Sequence, residues 1–228
     1  MIIFDFKFEE MLTHAEENYL KVIYHLSQTE DEGISTNSIA QKIDTKASSV
    51  TDMIKKLKEK DLISHEKYKG VFITEKGMHK AKMIIRKHRL WEVFLVEKLH
   101  FNWDEVHDVA EELEHIQSEK LINALDAFLG FPKEDPHGDP IPDSKGDIPF
   151  REKELLSETQ INQEYMCVGV KDTSTAFLQY LDRQKIALGT TFKVLKHESF
   201  DHSVTLFLRN QELTLSKVVA QNLFVKKL

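Results

Sequence analysis

All five prolines of this 228-residue chain lie between Gly130 and Pro149, together with three of its eight glycines. Proline removes a backbone donor and fixes φ, so such a cluster ends regular structure and marks a linker. On the N-terminal side the apolar residues recur at helical spacing; on the C-terminal side they fall in short β-like runs. The length suits one large domain or two or three small ones. Apolar residues at 41% and charged residues at 30% are a soluble globular balance, and no apolar run is long enough to span a bilayer.

Residues 1–10 read as an extension. Thr13 and Glu16 have capping-box spacing at the head of a helix carrying Ala15, Tyr19, Val22, Ile23 and Leu26 on one face. A short helix from Ser35 to Ile43, a turn at Asp44-Thr45-Lys46 and a helix from Ala47 to about Lys60 form a helix-turn-helix. Leu62–Glu66 and Val71–Thr74 read as a hairpin tipped by Lys67-Tyr68-Lys69-Gly70, which is a wing. A long helix follows from Glu75 to about Leu99, and another, capped by Asp104, to about Phe128. Beyond the linker, Met166–Val170, Thr191–His197, Ser203–Leu208 and Asn222–Lys226 are predicted strands around a helix at Thr173–Arg183, a pattern suited to a small SH3-like β-barrel. The expected fold is mainly α with small β: a winged helix-turn-helix over 1–76, a helical dimerisation domain over 77–142, and the rest of the linker with the barrel over 143–228.

Charge is unevenly placed. The net charge is -7, yet from Ile34 to Arg89 there are 14 basic and 6 acidic residues, a balance of +8, while acids dominate from Leu90 to Tyr165. A basic winged helix suits double-stranded DNA. Its second helix would present Lys46, Ser48, Ser49 and Thr51 to base edges or phosphates, with Lys55, Lys56, Lys67 and Lys69 on the backbone. Palindromic half-sites then call for a homodimer.

The acidic part carries a second pattern. His107, Glu111, Glu114 and His115 fall within a stripe of roughly 100° on one helix, and His88 and Glu92 stack four residues apart on the helix before it. Imidazole and carboxylate without thiolate suit Mn²⁺, Fe²⁺, Co²⁺ or Zn²⁺. The same acidic face is also compatible with a solvated helix surface.

Arg86-Lys87-His88-Arg89-Leu90-Trp91-Glu92, Val106–His115, the wing Glu66–Thr74 and the linker Asp135-Pro136-His137-Gly138-Asp139-Pro140-Ile141-Pro142 resemble the DtxR/MntR family of metal-dependent repressors over about residues 11–142. The C-terminal part resembles the SH3-like (FeoA-like) domain of its longer members. The resemblance implies two neighbouring cations, one held by His88, Glu92 and His107, the other by Glu111, Glu114 and His115 with a ligand from the first helix. Asn18 stands at that last position, where the family has Asp or Met, with Glu17 and His14 as neighbouring donors. Lys21 occupies a position where the manganese branch can have Glu. Asp135 replaces the usual linker Cys, and Asp172 is the nearest barrel donor. Glu at 111, where the iron branch has a softer sulfur ligand, favours Mn²⁺ over Fe²⁺.

The expectation is a cytoplasmic, manganese-responsive repressor of metal-homeostasis genes, with an iron-responsive repressor as the alternative. Carboxylates at Glu92, Glu111 and Glu114 are expected to repel one another until a cation binds. An enzyme with a catalytic metal is the rival reading; with eight glycines, no phosphate-binding loop and no nucleophile motif, no organic substrate is expected. Cys167 is the only cysteine, which excludes an intrachain disulfide and a cysteine-rich zinc site. No membrane partner is expected either.

Overall fold

The computed structural model describes residues 11–30 and 32–228; the extension read over residues 1–10 lies outside them. The chain divides into two compact units, one ending at Ile85 and the other spanning Arg86–Leu228.

In the first unit, α1 (His14–Ser27) opens on the predicted capping box: Glu16 N–H donates to the Thr13 hydroxyl at 3.3 Å and Thr13 N–H to the Glu16 carboxylate at 2.8 Å. Ser35 caps α2 (Thr36–Ile43), and Asp44 ends it in the left-handed region at φ 56°. That reversal sets the angle to α3 (Ala47–Glu59). Strands β1 (Ile63–Glu66) and β2 (Gly70–Ile73) pair antiparallel as the wing. Leu20, Ile23, Ile39, Val50, Leu57 and Val71 are all fully buried at the centre of this unit. Each contributes about 1.5–3 kcal/mol by leaving water. Helix α4 (Glu75–Leu99) starts at Thr74, whose hydroxyl accepts from Gly77 N–H at 3.0 Å. A Cβ on Gly77 would lie 2.0 Å from the Leu62 carbonyl oxygen, so only glycine lets the helix approach the wing this closely.

The second unit begins inside α4 and continues through α5 (Val106–Leu113) and α6 (Glu119–Phe128). The single helix read from Asp104 to Phe128 is therefore two. Ser118 accepts from Leu121 N–H and restarts the helix, and Glu114, the C-cap of α5, is buried. The expected Asp104 cap is also displaced: Glu105 is the N-cap, and the Asp104 carboxylate accepts from Gln179 Nε2 at 2.9 Å. Arg86, 1% exposed, holds α4 to α6 through Asp126 at 2.8 Å.

After the linker come β3 (Glu154–Leu155), β4 (Glu164–Val170), α7 (Thr175–Arg183), β5 (Thr191–His197), β6 (Val204–Leu208), β7 (Gln211–Leu215), α8 (Lys217–Ala220) and β8 (Leu223–Lys227). They form an antiparallel sheet of order β3-β8-β4-β5-β6-β7. This corrects the expected barrel. The strands at the ends of that order, two-residue β3 and β7, do not pair with each other, so the sheet stays open. Its core holds Leu156, Tyr165, Leu178, Leu181, Val194 and Leu206.

Candidate metal centre

The centre is built where α4, α5 and the linker meet inside the second unit. His88 and Glu92 stack one turn apart on α4, with Nε2 3.0 Å from Glu92 Oε1. His107, near the start of α5, brings Nδ1 to 3.7 Å from the same oxygen. From the linker, His137 Nδ1 also reaches that oxygen at 3.7 Å. Among the described residues two groups of potential ligand atoms converge: His88, Glu92 and His107, and Glu92, Asp135 and His137. Glu92 is common to both and 2% exposed. Neighbouring donors on a cation with bonds of about 2.1 Å stand roughly 3 Å apart, so separations of 3.0 and 3.7 Å require little contraction.

The linker geometry follows from local chemistry. Asp135 Oδ1 accepts from the backbone N–H of His137 at 2.8 Å and of Asp139 at 3.0 Å, a self-capped turn that its two neighbouring prolines stiffen. Arg89 approaches Asp135 Oδ2 and Asp139 Oδ2, each at 3.3 Å, and donates to the Pro140 carbonyl at 2.5 Å. Gly138, at φ +85°, lies flat on β4; a Cβ there would come within 2.1 Å of the Val168 carbonyl oxygen.

Electrostatics match this crowding. Burial disfavours a charge on His88, but hydrogen bonds to Glu114 at 2.7 Å and to Glu92, with their charges, outweigh it and raise its pKa to about 9. Burial pushes Glu92 upward too, yet contacts with His107, His137 and His88 hold it well below the usual carboxylate range. Asp135 is raised to about 6, first by burial and then by the Glu92 charge, against the pull of Arg89. His88 lies between Glu92 and Glu114, within hydrogen-bond distance of both carboxylates.

The implied sets fare differently. His88, Glu92 and His107 come together. Glu111 Oε1 stands 3.7 Å from His107 Nε2 and is half exposed, while buried Glu114 faces His88. His115 is part-buried, and Asn18 is an exposed residue of α1 in the other unit. Asp172 accepts from Ser174 N–H at 2.8 Å and joins neither converging group. Asp135 and His137 are donors that residue spacing did not single out; the signal was Asp-Pro-His inside a linker.

On the first unit, Lys46, Ser48, Ser49, Thr51, Lys55 and Lys56 are all exposed along the start and middle of α3, as are Lys67 and Lys69 at the wing tip. Thr51 donates its hydroxyl back to the Ala47 carbonyl at 3.0 Å. Lys55 pairs with Asp52 at 3.2 Å and Lys69 with Glu66 at 2.8 Å, both exposed and hence weak.

Comparison with known proteins decides the family. Residues 11–71 match the iron-dependent repressor N-terminal DNA-binding domain, 74–143 the iron-dependent repressor metal-binding and dimerisation domain, and 155–227 the FeoA domain. The chain is 32% identical over 126 residues to the transcriptional regulator MntR of Oceanobacillus iheyensis, 55% of this chain and 84% of that one. The chain belongs to the iron-dependent repressor family. This is a family of metal-dependent DNA-binding repressors, not enzymes, and the enzyme reading falls. The iron-dependent repressor IdeR of Mycobacterium tuberculosis is 34% identical over 133 residues, 58% of this chain and 56% of that one, so little more than half of IdeR is matched. A solved manganese-dependent transcriptional repressor in complex with manganese is 35% identical, covers 93% of this chain and 100% of its own, and superposes with a TM-score of 0.82. No helix among the described residues is long and apolar enough to cross a membrane.

Proposed function

We propose that this family member is a manganese-activated repressor that binds operator DNA as a homodimer in the cytoplasm and controls metal-homeostasis genes. The observation that carries the choice of metal is the donor set around Glu92: imidazole nitrogen and carboxylate oxygen, with Asp at 135 and Glu at 111 and no sulfur. Hard oxygen donors favour Mn²⁺ over softer ions. One cation is assigned to Glu92 with His88 and His107, extended by Asp135 and His137. A second is assigned to Glu111, Glu114 and His115. Bound cations would supply the positive charge that protonated His88 otherwise provides. On the DNA side, Ser48, Ser49 and Thr51 read bases with Lys46, and Lys55, Lys56, Lys67 and Lys69 hold phosphates.

The test is a gel-shift titration of chelated full-length protein on its operator with Mn²⁺ and with Fe²⁺ under anaerobic conditions. Tight binding that appears with Mn²⁺ and is reversed by chelation supports the reading. Activation by Fe²⁺ at lower free concentration than Mn²⁺ would favour the iron-responsive alternative, which the IdeR similarity motivates. Operator affinity unchanged after confirmed metal removal would overturn metal control altogether.

A further inference from the structure

Trp103 sits in the α4–α5 connection yet packs against the core of the C-terminal sheet, and three of its groups engage two partners, His137 and Asp182. Its ring stacks on the His137 imidazole, with centroids 6.2 Å apart and planes inclined by 16°. Its carbonyl oxygen lies 2.8 Å from His137 Nε2. Its indole N–H lies 3.1 Å from both carboxylate oxygens of Asp182 on α7. Next to it, Asp104 receives Gln179 Nε2 at 2.9 Å and the Thr175 hydroxyl at 3.4 Å, also from α7.

The carbonyl contact has a chemical consequence. A carbonyl only accepts, so Nε2 must carry a proton, and in the neutral ring the lone pair is then on Nδ1. Nδ1 is the atom that faces Glu92, the carboxylate of the candidate cation group. Hydrogen bonding of the remote nitrogen is the usual way a ligating histidine is oriented. The other side of His137 is held by the sheet, because its carbonyl accepts from Val170 N–H at 2.9 Å.

We propose that Trp103 is a positioning residue that sets His137 for the cation and, through Asp182, ties occupancy of the Glu92–Asp135–His137 group to the seating of α7. This rests on the metal-site reading above. Coupling of this kind is reciprocal: whatever loosens α7 weakens the cation, and the cation steadies α7.

The experiment uses full-length Asp182→Ala, Trp103→Phe and the double variant, with Mn²⁺ binding read from free-ion electron paramagnetic resonance and α7 from amide hydrogen exchange. Phenylalanine keeps the stack and the backbone carbonyl but loses the N–H donor. Each single variant is expected to weaken one Mn²⁺ binding step by about tenfold, the low end for outer-shell changes. The double variant should be no weaker than the worse single one, since both remove the same hydrogen bond. Mn²⁺ should protect α7 amides in the wild type and not in Asp182→Ala. Independent, additive losses, or Asp182→Ala isotherms that superimpose on the wild type, overturn the proposal while leaving the metal site standing. A wild-type chain that takes up no Mn²⁺ overturns the underlying reading and the proposal with it.

Discussion

Glu92 carries more of this site than any other side chain, because one of its oxygens faces three imidazoles. Glu92→Gln keeps the shape and removes the charge; Mn²⁺ affinity is expected to fall by more than about 100-fold, beyond the range for outer-shell changes, with fluorescence-detected unfolding confirming a retained fold. His88 makes the same site pH-sensitive. Its pKa of about 9 means that the metal-free ring is protonated at neutral pH. A cation binding through that ring must displace the proton, so affinity should rise with pH by up to about tenfold per unit between pH 7 and 9, then level off. Proton release measured by calorimetry in buffers of different ionisation enthalpy checks this; no release at pH 7 would remove His88 from the ligands. Periodicity made His88, Glu92 and His107 legible, because helical stacking follows directly from a spacing of four and from apolar neighbours. His137 was not legible that way: its approach depends on how the linker folds over β4 at Gly138, a long-range contact that residue spacing does not encode.

The elements divide along the same line. The winged helix was readable almost whole, since each of its turns has its own local chemistry: the Thr13 box, the Ser35 cap and the αL residue Asp44. The break at Glu114–Ser118 was not, because no glycine or proline marks it and the burial of Glu114 beside His88 is tertiary. Strand β7 escaped because its Gln, Glu and Thr make it polar; the signal was the Arg209-Asn210 turn, both residues at positive φ as a tight hairpin requires. Two outcomes test the DNA-reading helix. Lys56→Ala should lower operator affinity and lessen the slope of log affinity against log salt by about one, with sequence preference intact. Ser48→Ala should leave the slope and alter preference at one base pair; fluorescence anisotropy on operator and scrambled duplexes distinguishes them. At the base of α4, Gly77→Ala is expected to cost about 1–3 kcal/mol through its clash with the Leu62 carbonyl. An unchanged denaturation midpoint would show that the helix start can shift to admit the methyl group.

At the scale of the molecule, apolar surface remains uncovered on and near α6, where Leu121 and Phe128 are 42% and 65% exposed beside buried Leu125 and Ile122. Because this domain is the family's dimerisation domain, these residues are expected to lie in the dimer interface. Phe128→Glu should shift the sedimentation coefficient toward the monomer and lower operator affinity by more than tenfold, because two recognition helices no longer arrive together. Sulfur has the opposite placement. Cys167, the chain's single thiol, is 1% exposed within the sheet core, and burial lifts its pKa to about 11. Thiolate character and access govern oxidation, and this thiol has neither. Asp135, at the linker position where the family usually carries Cys, has no thiol to lose. With Asp135 ligating as proposed, no donor in the centre is a thiol, and the response to the cation is expected to survive oxidation. After peroxide treatment, removal of peroxide and reloading with Mn²⁺, operator affinity should return to its starting value without added reductant.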